Sequence, residues 1–124
     1  MLVSGGFLSF AEPVARALGF HEARANRLLS EGGRLTGEVA EPILGREAKV
    51  TALKEVTARL GLGPEDVLAV GDGANDLGML RLAGLGVAVH AKPAVQAECP
   101  LRVNHADLTA LLYLQGYARA DFAA

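Results

Sequence analysis

The sequence predicts an α/β fold built on a parallel sheet. Three observations carry this. Short apolar runs at Val67-Leu68-Ala69-Val70 and Leu85-Gly86-Val87-Ala88-Val89 have the length and continuity of strands buried on both faces. Stretches with apolar residues at helical spacing separate them, and clusters of Gly, Pro and Asp punctuate the joins. The resulting order is βα, a β-hairpin, then αβαβαβα, which is the pattern of parallel strands joined by helical crossovers.

Taken in order, Met1-Leu2-Val3 reads as the end of a strand and Ser4-Gly5-Gly6 as a tight turn. Phe7 to Leu18 carries Phe7, Phe10, Ala11, Val14 and Leu18 at helical spacing, with Pro13 expected near the first turn or at a bend and Gly19 as the stop. His21 to Asn26 is a weak strand. Glu31-Gly32-Gly33-Arg34 lies between Leu28-Leu29 and Leu35–Val39, a hairpin signal. Arg46 to Leu60 is helical, with Val50, Leu53, Val56, Thr57 and Leu60 on one side, ended by Gly61, Gly63 and Pro64. The central strand, Val67 to Gly71, breaks into a helix that runs to about Ala83. After the strand Leu85–Val89 come a short helix from Pro93 to Ala97, a brief strand Leu101–Val103, and a last helix Leu108–Leu114 capped by Asp107 and stopped by Gly116. The tail to Ala124 is expected to be loose.

Composition narrows the function. The chain has 124 residues, enough for one domain, and its apolar share of 51% is enough for a core. Twelve basic and 14 acidic residues leave a net charge of −2, which argues against nucleic acid and anionic membranes as partners. The single cysteine, Cys99, has no disulfide partner and fits a reducing compartment. No apolar run approaches the ~20 residues of a membrane helix, and Met1-Leu2-Val3-Ser4 lacks the basic start of a secretory signal. The expectation is a cytoplasmic globular protein.

The most specific stretch is Gly71-Asp72-Gly73-Ala74-Asn75-Asp76. Open α/β sheets hold ligands where a strand's carboxyl end turns into a helix. Asp72 would sit on that turn, with Asn75 and Asp76 opening the helix toward the same crevice. Two carboxylates so close need a cation between them. Mg²⁺ suits them because it takes a few carboxylates and completes its octahedron with water and phosphate oxygens. Helix capping would account for Asn75 or Asp76 but not for Asp72, which precedes the helix. The stretch is no dinucleotide fingerprint, since Asp76 stands where the third glycine would be. Two weaker candidates join it. Ser4-Gly5-Gly6 offers a hydroxyl and backbone N–H groups as an anion cradle, or else an ordinary cap. Lys49 offers a point charge for phosphate, or else is a solvated lysine like Lys54. These stretches should converge at the carboxyl ends of the strands. His21, His90 and His105 have no zinc spacing and read as surface or loop residues.

Taken together, Leu2-Val3-Ser4-Gly5-Gly6-Phe7, Lys49 and Val70-Gly71-Asp72-Gly73-Ala74-Asn75-Asp76-Leu77 resemble the phosphoserine phosphatases of the haloacid dehalogenase superfamily. Ala83-Gly84-Leu85-Gly86-Val87-Ala88, His90-Ala91-Lys92-Pro93 and His105-Ala106-Asp107-Leu108 extend the resemblance over nearly the whole chain. It implies a Rossmann-like parallel sheet with a small β-hairpin, as a single partial core domain over residues 1–124. It implies Mg²⁺-dependent hydrolysis of O-phospho-L-serine to L-serine and phosphate, the last step of serine biosynthesis. Ser4 and the Gly5 N–H would bind phosphoryl oxygens. Lys49 would neutralise phosphate and the nucleophile's charge. Asp72 would ligate Mg²⁺, Asp76 would support it, and Asn75 would contact phosphate or substrate.

The sequence also departs from the family. The family's nucleophile lies in a DxDxT motif upstream of the Ser-Gly-Gly stretch, and this chain contains no DxD. The cap helices that hold the serine moiety also precede this point. The nucleophile strand of the family lies between the strand ending at Val3 and the strand Val67–Gly71. Its loss would leave two strand rims unpaired. Each buried unpaired backbone group costs ~1–3 kcal/mol, against a domain stability of ~5–15 kcal/mol. Three outcomes follow: a partner chain or a second copy supplies a strand through those edges, the two strands close on each other, or the chain is a truncated fragment. The last is favoured. This chain is expected to be inactive alone. The rival readings are a non-catalytic metal- and anion-binding module, a subunit of a split enzyme, and another small phosphatase of the superfamily.

Overall fold

The computed structural model describes residues 1–123. They form two compact units, the first Met1–Gly61 and the second from Leu62 onward. The fold is α/β with parallel strand pairs and one antiparallel hairpin, as the patterning predicts. Among the described residues, no helix is long and apolar enough to cross a membrane.

In the first unit, β1 (Leu2–Phe7) pairs in parallel with β2 (Ala23–Asn26) across α1 (Leu8–Leu18). Ser4-Gly5-Gly6 is therefore not a turn after a short strand; it lies within β1. The register explains how. Val3 faces Arg24 and Phe7 faces Asn26, so β1 uses more residues than β2 over the same span and bulges at the glycines. The helix consequently begins at Leu8 rather than Phe7. Pro13 falls in its second turn, where the missing N–H removes the helical donor for the Ser9 carbonyl. The apolar stripe is buried only at Ala11 and Ala15, whereas Phe10 and Leu18 are each 71% exposed. A two-stranded ribbon is narrower than a helix with its side chains, so it covers the small residues along the contact line and not the larger ones beside it.

β3 (Leu28–Glu31) and β4 (Arg34–Val39) form the expected hairpin, with Glu31 opposite Arg34. Gly32 and Gly33 both have positive φ, 57° and 78°, as a two-residue turn matched to strand twist requires. α2 (Arg46–Arg59) buries Ala52, Leu53 and Thr57. The Thr57 hydroxyl donates to the Leu53 carbonyl at 2.9 Å, which satisfies it in the core. Leu60, expected on the buried side, lies past the last helical residue and is 62% exposed.

In the second unit, β5 (Leu68–Gly71), β6 (Leu85–Val89) and β7 (Leu101–Val103) form a parallel sheet in that order. A 3-10 turn (Ala74–Asp76) and α3 (Leu77–Leu82) join β5 to β6, and α4 (Pro93–Glu98) joins β6 to β7. Ala69, Leu80, Ala88, Ala91, Val95 and Cys99 make its core. Cys99 is a buried free thiol. The last helix, α5, spans Ala110–Leu114 and starts later than expected. Asp107 instead holds the preceding turn, with its Oδ1 accepting the Thr109 N–H at 2.9 Å. Of the tail expected to be loose, Ala124 lies outside the described residues, and the residues before it make contacts. Phe122 packs on Tyr113 with ring centroids 5.1 Å apart, and Asp121 Oδ2 accepts the Ala118 N–H at 2.8 Å.

Among the described residues β1 pairs only with β2, and β5 pairs only with β6. Both are edge strands.

Candidate active site

β5 delivers the chain to Asp72 at its carboxyl end, and the next four residues fix the turn. Asp76 is 3% exposed, and its Oδ2 accepts the N–H of Asp72 at 3.0 Å and of Gly73 at 3.1 Å. This return of the side chain beneath the strand end needs a glycine at position 71. A Cβ there would lie 2.4 Å from the Asp76 Cβ, which no packing allows. On the other side, the Asp72 carbonyl accepts the Lys92 N–H at 3.2 Å. The backbone of Asp72 is thus held through both its N–H and its C=O. Its carboxylate stays exposed, and so does Asn75. Asp76 does the capping work that sequence reasoning weighed as the simpler explanation. Asp72 has no such structural duty.

This donor set fits a hard divalent cation. Asp72 and Asp76 would supply carboxylate oxygens and Asn75 an amide oxygen, all from positions 72–76. Among the described residues no group of three or more His, Cys, Asp or Glu side chains gathers to form a caged metal site. Mg²⁺ does not need one, because it keeps several waters and binds proteins through one or two carboxylates. A bound Mg²⁺ would supply charge neutralisation for phosphoryl oxygens.

Ser4, Gly5 and Lys49 belong to the first unit. Ser4 Oγ accepts the Gly6 N–H at 3.0 Å within the bulge. That uses a lone pair and leaves the hydroxyl proton available to donate. Lys49 lies at the end of the first turn of α2 and is half-buried. Sequence reasoning missed Asn26, which ties these two stretches together. It is 6% exposed. Its Nδ2 donates to the Gly5 carbonyl at 3.0 Å and the Leu44 carbonyl at 3.2 Å, while its Oδ1 accepts the Leu44 N–H at 2.6 Å. One buried amide so fixes both the glycine bulge and the segment that leads into α2. The signal was present: asparagine is disfavoured inside strands, so one at a strand end asks for a reason.

A family model for haloacid dehalogenase-like hydrolases matches residues 1–81. The chain belongs to that family. It is 42% identical over 123 residues to phosphoserine phosphatase SerB2 of Mycobacterium tuberculosis, covering 99% of this chain and 30% of that protein. It is 43% identical over 113 residues to the phosphoserine phosphatase of Haemophilus influenzae, covering 91% of this chain and 36% of that protein. Among solved structures, a phosphoaspartyl-intermediate analogue of phosphoserine phosphatase superposes with a TM-score of 0.82 at 38% identity, covering 90% of this chain and 54% of that one. The chain spans less than two thirds of each of these relatives. The fold and family expected from the sequence are those found.

Proposed function

We propose that this haloacid dehalogenase-like chain carries the metal- and phosphate-binding half of a Mg²⁺-dependent phosphoserine phosphatase, as one partial core domain over residues 1–124. Asp72 ligates Mg²⁺ and Asp76 supports it. Asn75, Ser4, the Gly5 N–H and Lys49 bind phosphate. Lys49 also stabilises charge as the phosphoryl group transfers. The substrate is a small phosphomonoester, O-phospho-L-serine, and the setting is cytoplasmic serine biosynthesis. The observation that carries this reading is the Asp72 turn, whose backbone is pinned at both ends while its carboxylate is left exposed. That is preorganisation for a ligand rather than for folding. The similarity to phosphoserine phosphatases supports the substrate class.

No carboxylate here occupies a DxDxT motif, so in-line attack through an aspartyl-phosphate has no acceptor. The chain alone is therefore expected to bind Mg²⁺ and not to turn over phosphoserine. The test is isothermal titration with Mg²⁺ alongside a phosphate-release assay. Binding that disappears in Asp72→Asn, with no release of phosphate, supports the reading. Turnover of phosphoserine that Asp72→Asn abolishes would overturn the inactivity, and absence of Mg²⁺ binding would overturn the site.

A second reading, a subunit of a split enzyme, is favoured by one observation: β1 and β5 each keep a sheet edge without a partner strand among the described residues. Edges of this kind recruit a strand from another chain. Phosphate release that appears only after adding a polypeptide with a DxDxT strand would select it over the inactive fragment.

A further inference from the structure

His90 stands out in the second unit. It is the one described non-glycine residue with positive φ, at 45°. Left-handed backbone at such a residue persists only where its surroundings hold it, and it concentrates at functional turns. Here two contacts hold it. The His90 N–H donates to the Val103 carbonyl at 2.8 Å, and its ring Nε2 lies 2.7 Å from the Ala106 carbonyl oxygen, which it meets as a donor.

The turn this produces has a destination. Directly after β6 it buries Ala91, whose carbonyl accepts from Gln96 Nε2 at 2.7 Å. It then presents the Lys92 N–H to the Asp72 carbonyl at 3.2 Å. Pro93 opens α4 immediately afterwards, so the chain must complete its change of direction within three residues. The Lys92 bond is one of the two anchors of the Asp72 turn, and the other is Asp76. An extended residue at position 90 would carry Lys92 elsewhere.

We infer that His90 is a positioning residue for Asp72: its left-handed turn and its ring bond to the loop at Ala106 set the Lys92 N–H that holds the Asp72 carbonyl. The consequence for Mg²⁺ rests on the function proposed above; the consequence for the turn does not.

The test uses the whole chain with three substitutions at one position. His90→Val cannot easily adopt the left-handed region. His90→Gly adopts it but loses the ring bond. His90→Asn tolerates it and keeps a polar side chain. Amide ¹H–¹⁵N spectra report the turn, and Mg²⁺ titration reports its use. His90→Val is expected to shift the Lys92, Asp72 and Gly73 amide resonances and to weaken Mg²⁺ about tenfold, the scale of losses at groups that orient metal ligands. His90→Gly should weaken Mg²⁺ by less, and His90→Asn should stay within about twofold of the parent chain. Parent-like amide resonances in His90→Val would overturn the inference. If that variant does not fold, the glycine and asparagine variants decide, and equal, parent-like spectra in both would overturn it. Should the parent chain bind no Mg²⁺, the functional proposal fails, while the amide shifts still decide the role of His90.

Discussion

Replacing Asp76 by alanine separates the residue that builds the candidate site from the residue that uses it. The Asp76 carboxylate accepts two backbone N–H bonds, at 3.0 and 3.1 Å, in a side chain that is 3% exposed. Hydrogen bonds to charged groups contribute ~1.5–3 kcal/mol each. These two are longer than the usual charge-assisted distance, so the lower figure applies and their joint loss is about 3 kcal/mol. Asp76→Asn retains an acceptor oxygen without the charge and should lose about half as much. Asp72→Asn should change stability by less than about 0.5 kcal/mol, because its carboxylate is exposed and no fold contact depends on it. Yet it is the substitution that should remove Mg²⁺ binding. Urea denaturation followed by circular dichroism measures the global loss. Hydrogen exchange at the Asp72 and Gly73 amides measures the local one, which for 3 kcal/mol is on the order of a hundredfold. A stable Asp76→Ala chain with unchanged exchange at those amides would refute the reasoning, since the turn would then be held by something else.

Other predictions follow from the same geometry. Gly86→Ala would place a Cβ 1.9 Å from the Leu80 carbonyl oxygen, so backbone must move. A loss of about 3 kcal/mol, near the upper end for overpacking, should lower the melting temperature by on the order of 10 °C, and an unchanged melting temperature would show that α3 and β6 approach less closely. Asn26→Ala removes three hydrogen bonds at a buried side chain. It should cost about 3 kcal/mol and speed amide exchange at Leu44, and normal exchange there would count against Asn26 as the tie. Glu22 is held below its ordinary carboxyl value of 4.5, first by its bond to Arg59 and then by that to Arg24. A depressed carboxyl contributes stability above the unfolded value and loses it as pH falls through the folded one. An NMR titration should therefore place the Glu22 midpoint below 4.5, and Arg59→Ala should move it upward. A midpoint unmoved by that substitution would show that the ion pair is not formed in solution. The effect is small because Arg59 is largely solvated.

Much of the fold was legible because local signals and packing agreed. The β6 run Leu85–Val89 has one interpretation as a strand, and Gly32-Gly33 has one as a hairpin turn. The reading failed where a partner strand decided the outcome. Ser4-Gly5-Gly6 has turn chemistry, yet pairing with β2 draws it into β1 as a bulge. The stripe on α1 has core chemistry, yet the ribbon beneath it is only two strands wide.

The candidate site divides in the same way. The sequence by itself determined the family, the carboxylates and the likeness to a phosphatase, because ligand chemistry needs particular residue types at short spacing and leaves them readable in a run such as Gly71–Asp76. Tertiary structure decided which carboxylate is spent on the fold and which is exposed, and that Asn26 and His90 hold the flanking segments. Those assignments depend on hydrogen bonds to backbone groups distant in the chain, and a backbone acceptor looks the same whatever residue carries it.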